Sequence, residues 1–140
     1  MLRPLLIVWQ EGNDTGIALI DEQHRGICSI INTFYYLVGT GKGDSSLYSC
    51  IIDTLYNYSS IHFATEEEML KECEYEGIEK HKEFHKKLLL EMEMIKREVS
   101  KANDPKPLYE FLKKWWLDHI NSKDRRYVPP VLARYKTHYV

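Results

Sequence analysis

Residues 78–99 read Ile-Glu-Lys-His-Lys-Glu-Phe-His-Lys-Lys-Leu-Leu-Leu-Glu-Met-Glu-Met-Ile-Lys-Arg-Glu-Val. Ile78, His81, His85, Leu88, Met92, Ile95 and Val99 follow one another at steps of three and four, the spacing that keeps side chains on one face of an α-helix. The same spacing recurs on both sides of this stretch. Ile20, Ile27, Ile31, Phe34 and Val38 form one segment, and Ile51, Leu55, Tyr58, His62, Met69 and Cys73 form another. Leu108, Leu112, Trp115 and His119 form the last. No comparable length alternates as a strand would. Gly39, Gly41 and Gly43, then Gly77, then Pro105 and Pro107 separate the segments. Helices of roughly 18, 28, 23 and 16 residues joined by short loops predict an all-α fold, an up-down-up-down antiparallel four-helix bundle. Ser45 and Ser46 are placed to cap the second helix, and Gly77 to take the left-handed position past its end. Asp104 is placed to cap the fourth, ahead of proline.

The length of 140 residues suits one domain with its own hydrophobic core. An irregular arm over 1–16, the bundle over about 17–124, and a C-terminal segment with a short helix over 125–140 complete the expected organisation. Lys and Arg number 19 against 21 Asp and Glu, a net charge of −2, so the basic excess that nucleic-acid binding needs is missing. The longest apolar run, Leu5 to Trp9, is far short of a membrane span or a signal-peptide core. The expected location is therefore the cytoplasm, with neither nucleic acid nor membrane as partner. Cys28, Cys50 and Cys73 are odd in number and form no C-x-x-C pair, so they read as reduced thiols.

Five of the six histidines, His24, His62, His81, His85 and His119, belong with the core stripes. A single histidine on an apolar face is ordinarily a core residue bonded to a neighbour. Five are another matter, because each buried imidazole left without partners costs about 1–3 kcal/mol. A shared metal satisfies all of them at once. His62 and Glu66 are four apart, about 40° around one helix, and His81 and His85 stand in the same relation. Asp124 follows His119 by five, about 140° away on a regular helix, so this pair converges only where the helix bulges or ends. With His24, all four helices contribute to one central site, the place where bundles build metal centres.

Five imidazoles and two carboxylates exceed the four ligands of a tetrahedral zinc. The segment His81-Lys82-Glu83-Phe84-His85 is also not H-E-x-x-H, because Lys82 occupies the glutamate position. Two octahedral irons offer about 12 positions, of which five imidazoles, two bridging carboxylates and one bridging oxygen fill about 11. The position left open suits a small diatomic ligand.

The motifs Ile20-Asp21-Glu22-Gln23-His24, His62-Phe63-x-x-Glu66-Glu67, His81-x-x-x-His85 and His119-Ile120-x-x-x-Asp124, with Trp9 and Trp115, resemble those of the hemerythrin family in its bacterial branch. The resemblance runs from about residue 9 to 132 and includes all seven ligand positions. It implies a four-helix bundle that binds dioxygen reversibly at a non-haem di-iron centre, two oxo- or hydroxo-bridged irons per chain, for oxygen storage, delivery or sensing. Under the resemblance His81, His85 and His119 hold one iron, His24 and His62 hold the other, which carries the open position, and Glu66 and Asp124 bridge. It implies an oxygen-binding protein rather than an enzyme, with weak oxidase or peroxidase side activity allowed. Nitric oxide and azide are further expected ligands, with a redox partner unidentified. The alternatives are a di-iron redox enzyme acting on peroxide or nitric oxide, against which the absence of Glu-x-x-His on these helices counts, and an oxygen-sensing module of a larger signalling protein.

Around the open position an apolar pocket of Ile27, Phe63, Trp115 and Ile120 is expected, with Ile31, Met69 and Trp116 nearby. Asp21 or Gln23 is expected to orient an imidazole, Asp21 equally to cap a helix, and Tyr58 to pack or to donate a hydrogen bond. Glu67 and Glu68, at five and six from His62, are expected to face solvent or the surroundings of the ligands, so that Glu67→Ala leaves iron content intact. Cys28, one turn after His24, reads as a small core residue, Gly26 as a weak point inside a helix, and His138 as a surface residue.

Overall fold

The computed structural model describes residues 7–115 and 126–134. Among them lie a 3-10 turn, Glu11–Asn13, and five α-helices: α1 Ala18–Gly39, α2 Ser45–Glu72, α3 Ile78–Ala102, α4 Lys106–Lys114 and α5 Val128–Arg134. There is no strand among the described residues, and no helix there is long and apolar enough to cross a membrane. Successive helices pack together, α1 on α2, α2 on α3 and α3 on α4, as short loops between long helices require. The expected stripes are the buried ones, from Ile27, Ile31 and Phe34 on α1 to Leu88, Met92, Ile95 and Val99 on α3.

Two apolar clusters result. The larger contains Ile27, Ile31, Phe34, Leu55, Phe63, Met92 and Trp115. The smaller gathers Ile17 and Ile20 of the α1 entry, Leu70 of α2, and Tyr127 and Val131 around α5. His24, His62 and Glu66 sit between these clusters along α1 and α2, so apolar side chains close the bundle above and below them.

Three local expectations change. The cap of α2 is Asp44, whose carboxylate accepts from the Leu47 amide at 2.9 Å, in place of Ser45 or Ser46. The left-handed residue past α2 is Glu74, at φ 52°, in place of Gly77. There the Tyr75 amide reaches the Leu70 carbonyl at 3.0 Å and the Glu74 amide reaches Lys71 at 3.1 Å, a Schellman closure. Gly77 precedes α3 at φ −82°, and the Tyr75 ring lies so close that a Cβ there would meet it at 2.7 Å. At α4 the N-cap is Pro105, and Asp104 just before it accepts from the Lys106 amide at 3.0 Å. Asp21 is buried at the start of α1, where it accepts from the Thr15 amide, the Thr15 hydroxyl and the Gly16 amide at 2.8, 2.7 and 3.1 Å. It ties the arm to the bundle and orients no imidazole among the described residues. Farther out, Trp9 donates to Asp14 at 2.9 Å, with the Arg25 guanidinium 5.1 Å from its ring centre.

Gly26 has a packing reason. A Cβ there would fall 2.1 Å from the Tyr58 hydroxyl, so the missing side chain is what lets the Tyr58 ring cross α1. Gly26→Ala is expected to lose about 1 kcal/mol in urea unfolding, because the clash outweighs the gain in helix propensity. In a Tyr58→Ala background the same change is expected to gain about 1 kcal/mol. A gain in both backgrounds would show that Tyr58 moves aside freely. The thiols divide by burial as well. Cys28 is buried, which pushes its thiol up to about 12, whereas Cys50 is exposed. Iodoacetamide at pH 8 is expected to label Cys50 of the folded protein and leave Cys28 intact until denaturant is added. Equal labelling would place Cys28 outside the core.

Candidate metal centre

Glu66 lies at the centre of the site, its side chain 0% exposed. Its two oxygens look in different directions. Oε2 is 3.1 Å from His62 Nε2 and accepts from the Tyr127 hydroxyl at 3.4 Å. Oε1 meets His81 Nε2 and stands 3.4 Å from His85 Nε2. The four-residue steps that joined His62 to Glu66 and His81 to His85 in the sequence are what turn these groups toward one point. His24 comes across from α1, its ring centre 4.8 Å from that of His62. The result is two sets of three ligating groups sharing one carboxylate: His24, His62 and Glu66, and Glu66, His81 and His85, with the donor atoms of each set within 4.8 Å of one another.

The outer hydrogen bonds decide which ring nitrogen faces inward. The Thr65 hydroxyl donates to the Ile61 carbonyl at 2.9 Å and so accepts from Gln23 Nε2 at 3.3 Å. That leaves Gln23 Oε1 to accept from His62 Nδ1 at 2.8 Å. Gln23 thus orients His62, on the neighbouring helix, rather than the His24 beside it in sequence. Glu67 Oε2 accepts from His85 Nδ1 at 2.8 Å in the same way. Of the two places expected for Glu67, the structure takes the surroundings of the ligands: it orients His85, because a carboxylate one residue beyond Glu66 faces α3. With both Nδ1–H groups committed, the inner Nε2 atoms of His62 and His85 are the ones that could ligate a metal.

These inward nitrogens provide a test of fit. His62 Nε2 is buried and close to Glu66 Oε2, but the pair lacks hydrogen-bond alignment. An imidazole lone pair aimed at a carboxylate repels it unless a cation lies between, either a proton or a metal ion. Burial by itself would raise the Glu66 carboxyl, yet protons held between it and His62, His81 and His85, in the place a metal cation would take, keep it well below the usual carboxylate range. Imidazole and carboxylate donors in a dry pocket around a shared carboxylate match a pair of borderline divalent or trivalent cations. The donor set therefore fits iron.

His24, His62 and His85 are buried, while the His81 side chain is 13% exposed, at a cleft bordered by Lys80, Phe84, Arg126 and Tyr127. His119 and Asp124 lie outside the described residues, as do Ile120, Trp116 and His138. Of the expected pocket, Ile27, Phe63 and Trp115 are buried in one cluster. Phe63 stacks flat on His85, ring centres 3.9 Å apart at 7°, and meets Trp115 edge-on at 6.3 Å. It therefore reaches the His81 and His85 side as well as the His62 side on which it was placed. Ile31 shares that cluster, and Met69 packs at the opposite end. Tyr127 is a residue the sequence reading passed over: buried, bonded to Glu66, with its ring centre 5.7 Å from that of His81. Its one sequence signal is its position three residues after Asp124.

The family profile of the hemerythrin HHE cation binding domain matches residues 15–131. A bacteriohemerythrin of Stenotrophomonas maltophilia is 30% identical over 129 residues, which is 91% of this chain and 83% of that protein. The myohemerythrin of Theromyzon tessulatum is 28% identical over 119 residues, 85% of this chain and 88% of its own. A crystal structure of wild-type hemerythrin superposes with a TM-score of 0.77 at 24% identity, covering 90% of this chain and 98% of the other, a likeness of fold. With its profile match, bundle and shared-carboxylate site, the chain belongs to the hemerythrin family.

Proposed function

We propose that the protein binds dioxygen reversibly at a centre of two non-haem irons. The observation that carries this reading is Glu66, one buried carboxylate offering a separate oxygen to each of two histidine groups. His24 and His62 would hold one iron, and His81, His85 and His119 the other, with Glu66 and Asp124 as the bridging carboxylates. The iron pair, when bound, supplies the redox chemistry through which dioxygen is taken up and released. The chain's own contribution is to orient and to exclude. Gln23 and Glu67 hold two imidazoles in the ligating tautomer. Ile27, Phe63 and Trp115, with Ile120, keep water and stray protons from the ligand. Burial on this scale favours an oxygen carrier, store or sensor over an enzyme, because the apolar wall admits small ligands such as dioxygen, nitric oxide or azide and offers little to a larger substrate.

Iron quantification and an aerobic optical spectrum test this directly. Two irons per chain, no haem, and a colour change on oxygenation that reverses under vacuum are expected. A single zinc per chain, or oxygen consumed without reversal, would overturn the proposal. Among the acidic residues, Glu66→Ala is expected to abolish the paired centre. Glu67→Ala is expected to release iron to a chelator roughly 10–100-fold more readily, and Glu67→Gln less so, since its amide oxygen still accepts from His85. Wild-type iron retention in Glu67→Ala would show that His85 needs no orienting partner.

A further inference from the structure

Ser59 is fully buried on α2, and its Oγ has no hydrogen-bond partner among the described residues. Its neighbours behave differently. Thr54, Ser60 and Thr65 each donate to the carbonyl four residues back, at 2.8, 2.8 and 2.9 Å, as helical hydroxyls commonly do. Ser59 has the same option at the Leu55 carbonyl and does not take it. A buried hydroxyl turned away from its own helix is uncommon enough to need a reason.

The register of α1 against α2 gives one. His24 faces His62, Gln23 reaches His62, and Gly26 lies beneath Tyr58. One turn farther along, this antiparallel register sets Ser59 level with Ile27. On its own helix Ser59 comes one turn before both His62 and Phe63. Ile27, Phe63 and Trp115 are the apolar walls assigned above to the ligand pocket. Ser59 is thus a buried hydroxyl beside a pocket whose described walls are the Ile27 side chain, the Phe63 ring and the Trp115 indole.

We propose that the Ser59 hydroxyl donates a hydrogen bond to the small ligand held in this pocket. The ligand class is a di- or triatomic molecule or anion with a terminal lone pair, to which both dioxygen and azide belong. The inference rests on the function proposed above and adds a residue that its apolar pocket does not include. A hydroxyl left unsatisfied in the ligand-free protein is satisfied when such a ligand arrives, which favours ligands able to accept over those that only fill space.

Ser59→Ala and Ser59→Thr test this in two states. In the metal-free protein, Ser59→Ala is expected to keep or raise the urea midpoint, since the orphaned hydroxyl is gone. A clearly lower midpoint would show that the hydroxyl is already satisfied within the protein and would overturn the proposal. In the iron-loaded, oxidised protein, Ser59→Ala is expected to weaken azide binding roughly three- to tenfold, the range of one hydrogen bond, while Ser59→Thr stays within about twofold of wild type. Equal azide affinity in Ser59→Ala, or equal losses in both variants, would overturn it. Iron content and azide affinity of the wild type are measured alongside. A wild type that holds no iron pair overturns the function and this inference together. A wild type that binds azide no more tightly than Ser59→Ala overturns the role of Ser59 alone.

Discussion

A carboxylate with no exposure to water, at the centre of a four-helix bundle, is the constraint on which the rest of this molecule depends. Taking such a charge out of water costs several kcal/mol unless cationic or hydrogen-bonding groups meet it. Glu66 is met by three imidazoles and a tyrosine hydroxyl arriving from α2, α3 and the turn before α5. Each donor fixes the height and rotation of the element that carries it. The bundle is therefore held in register by its polar centre as much as by its apolar stripes. The two hydrophobic clusters complete the arrangement by lying on either side of Glu66 and keeping bulk water from screening it.

The polar network extends outward by one further layer, and that layer joins helices rather than residues adjacent in sequence. The path from the Ile61 carbonyl through Thr65 and Gln23 to His62 crosses from α2 to α1 and back. Glu67 reaches from α2 to His85 on α3. Both end on an Nδ1–H and so present Nε2 to the centre. Asp21, three residues before His24, serves the arm, because the Thr15 and Gly16 amides precede α1 and need an acceptor there. One short motif, Asp21-Glu22-Gln23-His24, thus contributes to the entry of a helix, to the tautomer of a histidine on another helix, and to the site itself.

The apolar walls serve packing and chemistry together. Phe63 fills space beside Trp115 and also covers the face of the His85 ring, which prevents that imidazole from rotating. Gly26 and Tyr58 show the same economy: a glycine two residues after His24 lets an aromatic ring cross the helix close to the site. Glycine inside a helix is unfavourable by itself, and here the ring packing offsets it.

The sequence alone determined the helices, their order and the residues that converge. Steps of three and four between Ile78 and Val99 and the pairs His62–Glu66 and His81–His85 are properties of one helix at a time, and helical geometry makes them legible. The caps were less legible, because Asp44 competed with Ser45 and Ser46, and Glu74 adopted a left-handed angle expected of glycine. Only the tertiary structure decided which partner Gln23 serves, that Glu67 belongs to His85, that Phe63 covers His85, and that Tyr127 reaches Glu66. These contacts join residues 18, 22, 39 and 61 positions apart, and their existence depends on how far one helix slides and turns against the next. Periodicity along a single helix carries the direction of a side chain, but it holds no record of that slide.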